Sequence, residues 1–376
     1  MWEGEQRKMS SIVVSGYYGF RNAGDEAMLA AMIEVLSDLD PKLNITVISA
    51  NPEDTKRRHG VHAVYWLNYW QIAKVIRKSD LVISGGGSLL QDVTSVRSIY
   101  YYMSILFLAK MLGKPTMLYA QGIGPICGSF ARKAMRWLGN KIDLITVRDE
   151  GSLEELDNLG VKKPPIRVTA DPVLGIHPVD RQIGRKILRR YGIEGAKPLV
   201  GISVREWRDW SHYKDIISTV TARIVDELGA RIVYLPMQYP EDVEVAKKIA
   251  VDMPKSIVLL DEEYTTSELL SLVGNLDLLI GIRLHALIFA GVMGIPMIGM
   301  SYDPKIDRFL KSMGDESVSD LQNVTVEKLM EKIHQEWQEK DSFAKTVEPV
   351  ISKLRRDAFV NAELALELIS RGKTKR

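Results

Sequence analysis

Short apolar runs alternate with amphipathic stretches along most of the chain, beginning at "SIVVSGY". The runs at 11–17, 44–50, 80–85, 115–121, 143–149 and 166–170 are rich in Val, Ile and Leu and show no consistent polar face. Strands buried on both faces read this way, and they occur in parallel sheets covered by helices. Between them, 25–39, 96–112, 129–140 and 150–160 repeat their apolar positions at helical spacing. The segment 171–182, "DPVLGIHPVDRQ", breaks the pattern with two prolines and a glycine, and reads as a linker. The alternation then restarts, with strands expected at 198–204, 230–236, 256–260, 277–282 and 295–300. Helical patterns at 213–229, 241–251, 266–275 and 284–293 separate them, and a long amphipathic stretch covers 325–371. The expectation is an α/β protein of two similar halves in tandem, each a βα alternation around a parallel sheet.

Composition narrows the function class. A chain of 376 residues with 46% hydrophobic and 26% charged residues has material for two cores. Its formal net charge of +2 argues against a general nucleic-acid binder, which needs a basic face to neutralise phosphates. Cys127 is the single cysteine, so no disulfide forms within the chain. The start, "MWEGEQRKMSS", is polar and reads as a loose tail rather than an export signal. The longest apolar stretch, 281–300, is broken by Arg283, His285, Pro296 and three glycines after the first, which excludes a membrane span. A cytoplasmic location follows as the expectation.

Unusual residues cluster where strands are expected to end. In open parallel sheets ligands bind outside the carboxyl ends of the strands. "GYYGFRNAGDEAM" (16–28) follows the first strand; Gly19 and Gly24 have nucleotide-loop spacing, but Asp25 and Glu26 stand where that loop needs lysine. The pair reads either as acids favouring a helix N-terminus or as a carboxylate able to hold or deprotonate a hydroxyl. "SGGGSLLQD" (84–92) and "YAQGIGP" (119–125) read as glycine turns that let a backbone approach a ligand. Arg148, Arg205 and Arg283 each close an apolar strand, and a buried guanidinium needs a partner. Asp149 or Glu150 can serve Arg148, and Glu206 can serve Arg205. Arg283 has no acid nearby in sequence except Asp277, so an anionic ligand is the expected partner. His285, two residues on, becomes a proton-donor candidate, and Lys305 can add a positive charge. No His/Cys cluster has metal-ligand spacing, so no metal is expected.

In order and combination, "GYYGFRNAGDEAM", "SGGGSLLQD", "YAQGIGP", "ITVRDE", "DPVL", "GISVREW", "GIRLHALIFA" and "SYDPKID" resemble the polysaccharide pyruvyltransferase family, and within it the bacterial cell-surface-anchoring branch. The resemblance implies two Rossmann-like domains facing a cleft, similar to B-type glycosyltransferases, with a C-terminal helix returning to the first domain. It implies an acceptor domain at 9–175, a donor domain at 183–340, and a helix with a basic tail at 341–376. It implies transfer of the enolpyruvyl carbons of phosphoenolpyruvate, without a cofactor, onto two hydroxyls of an N-acetylmannosamine residue on a lipid-linked cell-wall polymer precursor. Donor binding is then expected at Arg205, Arg283, Leu284, His285 and Lys305, with His285 as general acid. Asp25 or Asp92 would be the hydroxyl-activating base. Acceptor binding is expected at Tyr18, Asn22, Gly24, Asp25, Gly86, Gly87, Gln91 and Gln121. A lipid-linked acceptor implies a peripheral encounter with the inner face of the plasma membrane, for which the basic stretch 131–141 with Trp137 offers a surface. The competing readings are a nucleotide-sugar glycosyltransferase of the same fold and a non-catalytic sugar-binding module.

Overall fold

The structure is a computed structural model that describes residues 9–93, 95–195, 197–207, 211–250 and 257–374. The chain forms two compact units. The first runs up to Phe20, takes in Asp25–Ile176 and resumes at Leu354; the second holds Arg21–Gly24 and His177–Lys353.

The strands of the first unit are β1 (Ser11–Ser15), β2 (Asn44–Ser49), β3 (His62–Tyr65), β4 (Leu81–Ser84), β5 (Gly87–Leu90), β6 (Thr116–Ile123), β7 (Leu144–Val147) and β8 (Ile166–Val168). Their order is β3-β2-β1-β4-β6-β7-β8, with β5 beside β6, and every pair is parallel. Parallel neighbours need crossovers, and helices supply them on both faces. Val13 and Val82 meet Ile72, Ile76, Ile105 and Ala109 on one face. Ile12, Val14, Leu81 and Ile83 meet Leu29, Met32 and Leu36 on the other. Alternate residues of one strand thus serve two helix layers, which is why the strands carry no polar face. The chain order reverses between β1 and β4, and Ser15 pairs with Ser84 at the carboxyl ends of this switch.

The second unit has β9 (Leu199–Ser203), β10 (Arg231–Tyr234), β11 (Ile257–Leu259), β12 (Leu278–Gly281), β13 (Met297–Ser301) and β14 (Ser319–Asp320). Their order is β11-β10-β9-β12-β13-β14, again parallel throughout, with the switch between β9 and β12.

The helix Val326–Thr374 is continuous over 49 residues with Pro349 inside it. Its last part belongs to the first unit: Ala362, Ala365 and Ile369 enter the core there, and Asn361 accepts a 2.8 Å hydrogen bond from Thr169 Oγ1.

The expected α/β class and the C-terminal return are what the chain forms. Among the features that differ from the sequence reading, three bear on the site and its boundaries. "SGGGSLLQD" is not only a turn, because Gly87–Leu90 is strand β5. The edge strand β3 was not expected. The linker ends at Asp180, which caps the helix Arg181–Arg190 by accepting from Gln182 N.

Candidate active site

In the second unit, β9, β12 and β13 are neighbours and fully buried, so a charged side chain is tolerated only where each strand leaves the sheet. Arg205 lies two residues beyond β9, Arg283 two beyond β12 and Tyr302 one beyond β13. The Arg205 and Tyr302 side chains meet. The Arg205 Nη1 donates to the Tyr302 hydroxyl, and the guanidinium carbon lies 4.5 Å from the Tyr302 ring centroid and 5.0 Å from that of Trp207. Tyr213 donates to the Arg205 carbonyl and fixes the backbone. Lys305, in the first turn of the helix Pro304–Ser312, places Nζ 5.3 Å from the Tyr302 ring and 3.1 Å from Asp303.

The electrostatics follow from this crowding. Burial pulls the Arg205 guanidinium below its ordinary value, and the neighbouring Arg283 charge adds to the effect. Burial alone would raise the Tyr302 phenol, but Lys305, Arg205 and Arg283 together outweigh it and hold it below the ordinary range. Glu206, the expected partner of Arg205, instead faces Lys214 and Lys248. Among the described residues, Arg205 has no carboxylate within ion-pair distance.

Arg283 corrects the sequence argument. Its guanidinium is held by Asp242, with Nε donating to Oδ2 at 3.0 Å and Nη2 to Oδ1. Asp242 is 1% exposed and also accepts from Met237 N and Gln238 N at 3.1 and 2.9 Å. A ligand is therefore not needed to neutralise Arg283: its acid lies 41 residues away in sequence, where local inspection does not reach. Leu284 is a more limited candidate. Its side chain is a core position, 5% exposed, so only its backbone can meet a ligand.

The segment 21–24 joins this unit. Ala23 N donates to Met237 O at 2.8 Å, Asn22 Nδ2 to Gln238 Oε1 at 2.7 Å, and Asn22 Oδ1 accepts from Gly24 N at 3.0 Å. Arg21 adopts φ of 59°, a conformation that costs energy for a side chain with a Cβ. Gly24 lies against His285: a Cβ built there would overlap the imidazole at Nδ1. Asn22, Gly24, Arg283 and His285 are thus brought together, with Gln238 and Asp242 linking them.

In the first unit, Asp25 lies at the start of the helix Ala23–Leu39 and Gly87 packs beside it; a Cβ at Gly87 would come 3.3 Å from Asp25 Oδ1 and 2.9 Å from Met28 Cε. The adjacent Gly86 packs on Met28 and Pro172. Tyr18 is 1% exposed, and a Cβ at Gly85 would overlap its hydroxyl. Burial, then Asp25 and Glu26, push its phenol well above the ordinary range. Glu26 is consumed structurally, accepting from Gly19 N at 2.7 Å and facing His59 Nε2 at 2.9 Å. Gln91 shapes its loop by accepting from Val93 N at 2.8 Å.

Two expected residues have structural partners here. Asp92 accepts from Cys127 N and Gly128 N at 2.8 and 2.7 Å, one on each oxygen, ahead of the helix Ser129–Gly139. Both oxygens of Asp92 thus hold a turn together, a structural task that the sequence reading did not give it. Gln121 is 0% exposed, accepts from Ser84 Oγ and donates to Gly87 O, so it ties β4 and β5 to β6 rather than facing an acceptor. Arg148 is structural as expected, but its main partner is Asp171 at 2.9 Å, with Ser88 at 3.0 Å.

A sequence profile described as "Polysaccharide pyruvyl transferase" matches residues 22–304. The chain belongs to the polysaccharide pyruvyl transferase family. A curated relative, the amylovoran biosynthesis protein AmsJ of Erwinia amylovora, is 22% identical over 282 residues, covering 70% of this chain and 67% of that protein. As a pyruvyltransferase, the chain is an enzyme of pyruvyl transfer onto a polysaccharide. Its fold is similar to that of S. aureus MnaA solved with UDP, at a TM-score of 0.69 and 14% identity, covering 94% of each chain. It is also similar to E. coli ADP-heptose LPS heptosyltransferase II, at a TM-score of 0.54 and 14% identity, covering 89% of this chain and all of that one. These likenesses establish the glycosyltransferase-B-like fold of this pyruvyltransferase. The residues to which the sequence reading gave no role are Tyr302, Asp242, Trp207 and Tyr213; Tyr302 and Trp207 carried a signal, each an aromatic shortly after an apolar strand and inside a quoted motif.

Proposed function

We propose that the donor is phosphoenolpyruvate, bound by the second unit, and that its enolpyruvyl carbons move onto two hydroxyls of one N-acetylmannosamine residue. The observation that carries the donor assignment is the set of cations beyond the carboxyl ends of β9, β12 and β13: Arg205 donates to the Tyr302 hydroxyl, Lys305 Nζ lies 5.3 Å from the Tyr302 ring, and Arg283 follows the strand between them, three cations against the carboxylates of Asp242 and Asp303. A small ligand with a phosphate and a carboxylate suits this excess of donors, and guanidinium forks fit both groups. Arg205 and Lys305 take the anion. Arg283, fixed by Asp242 along one edge, offers its remaining N–H groups in a set orientation.

In the reaction His285 protonates the methylene carbon of the donor, leaving an oxocarbenium-like centre at C2. A sugar hydroxyl adds there while its proton passes to Asp25. The C2–oxygen bond to phosphate breaks, and the second hydroxyl adds to close the ketal. Of the two hydroxyl protons lost, one is balanced by the new methyl group and the other leaves with phosphate. Asp25 rather than Asp92 is the base in this account, because Asp92 is spent on two backbone N–H groups. Tyr18, Asn22, Gly24, Gly86, Gly87 and Gln91 remain the acceptor set.

The acceptor as a lipid-linked cell-wall polymer precursor, and the surface-anchoring use of its product, rest on the resemblance of the motifs to that branch. Such an acceptor places the work at the inner face of the plasma membrane. The test is phosphate release from phosphoenolpyruvate with an N-acetylmannosamine-containing acceptor, with a pyruvyl ketal detected by mass spectrometry. Release of nucleotide from a nucleotide sugar instead, with none from phosphoenolpyruvate, would overturn the reading in favour of glycosyl transfer.

A further inference from the structure

We propose that the outer surface of three helices in the first unit seats the enzyme on a bilayer of anionic lipid. This deepens the lipid-linked acceptor reading, and rests on it only for the reason the enzyme needs a bilayer. The helices are Tyr69–Lys78, Val96–Met111 and Ser129–Gly139. Their inner sides fill the core through Ile72, Ile76, Ile105, Met103, Met135 and Leu138. Their outer sides do the reverse of what solubility asks. Trp70 is 73% exposed, Met111 70%, Phe130 69%, Trp137 50% and Phe107 44%. Ring contacts join the helices: Phe107 to Trp137 at 5.9 Å and Tyr100 to Phe130 at 5.8 Å between two of them, and Tyr69 to the partly buried Tyr101 at 6.4 Å to the third. Exposed apolar area of this extent needs an occupant.

Charge decides which occupant. The three helices carry three, two and three basic residues and no acidic one, in a chain whose 50 basic and 48 acidic residues nearly cancel. Asp143 and Glu155 answer Lys110 and Arg132. Lys74 and Lys141 lie over the exposed Trp70 and Trp137 rings, at 5.4 and 3.9 Å from the centroids. Interleaved cations and large aromatics match the boundary between anionic headgroups and acyl chains: indole settles at the interface and lysine pairs with the headgroups. Among the described residues no helix is long and apolar enough to cross a membrane, so attachment would be by this face. The sequence had marked only 131–141; the fold adds the two neighbouring helices.

The test is flotation of the full chain with vesicles of phosphatidylcholine alone and with added phosphatidylglycerol. Recovery is expected with the anionic vesicles, falling as salt rises. Lys133→Glu with Arg136→Glu should lower the apparent partition at least tenfold, and Phe130→Ser with Trp137→Ser should lower it at both low and high salt. Both double variants should keep full pyruvyl transfer to a water-soluble acceptor oligosaccharide, which shows that they are folded. Equal recovery on both vesicle types, or recovery unchanged by either double variant, overturns the proposal. So does self-association that both variants abolish while no vesicle binding is seen, because the face then belongs to a second copy. Loss of transfer on every acceptor with anionic-vesicle binding intact would sink the functional reading and leave this one standing.

Discussion

Replacing Asp242 by asparagine tests how the structure tolerates Arg283. The asparagine Oδ1 can keep the two backbone N–H groups of Met237 and Gln238, now held at 3.1 and 2.9 Å. What is lost is the two-point contact with the guanidinium. Removing one partner of a buried pair costs about 3–5 kcal/mol, because the other charge is left uncompensated. Asp242 is 1% and Arg283 15% exposed by side chain, so water reaches one edge of the guanidinium and the cost falls near the lower end, about 3 kcal/mol. The double variant Asp242→Asn with Arg283→Met removes the stranded charge and should recover most of the loss, to within about 1 kcal/mol of wild type, as buried pairs replaced by apolar groups do. Urea denaturation followed by circular dichroism measures both. If Asp242→Asn alone stays within about 0.5 kcal/mol of wild type, hydration rather than Asp242 neutralises Arg283, and the reasoning fails.

The remaining predictions separate cap from base, and positioning from catalysis. Asp92→Asn leaves one backbone N–H without an acceptor and should cost about 1–3 kcal/mol of stability while keeping turnover; Asp25→Asn should lose turnover. The reverse pattern in urea melts and phosphate-release assays would exchange their roles. Gly24→Ala drives a methyl into the His285 ring and should lower kcat far more than it alters donor affinity, read by titration beside steady-state kinetics. Tyr302 should ionise ahead of the buried tyrosines in an alkaline absorbance titration, and Tyr302→Phe should delete that early step. Its folded value is the lowered one, so the cation cluster's contribution to stability is complete above the ordinary phenol range and is lost as pH falls through Tyr302's own value.

Much of this architecture was written in hydrophobic periodicity, because strands buried on both faces leave continuous Val/Ile/Leu runs. β3 escaped because "HAVY" lies at the sheet edge and is only partly buried, and β5 because three glycines read as a turn although Gly87 alone of them has a positive φ. Candidate site residues stood out at strand ends for the same topological reason: Arg205, Arg283 and Lys305 all stand where an apolar run stops. Their partners were not. The acid that answers Arg283 enters from the helix after β10, and no local window links positions 242 and 283. The two carboxylates offered as bases looked alike in sequence; only the backbone N–H groups around Asp92 tell them apart.

The most direct measurement is calorimetric titration of phosphoenolpyruvate into the wild type and Arg205→Ala. Charge-assisted hydrogen bonds contribute about 1.5–3 kcal/mol each, so deleting the guanidinium should weaken binding roughly 10- to 100-fold. Unchanged affinity in Arg205→Ala would contradict the account.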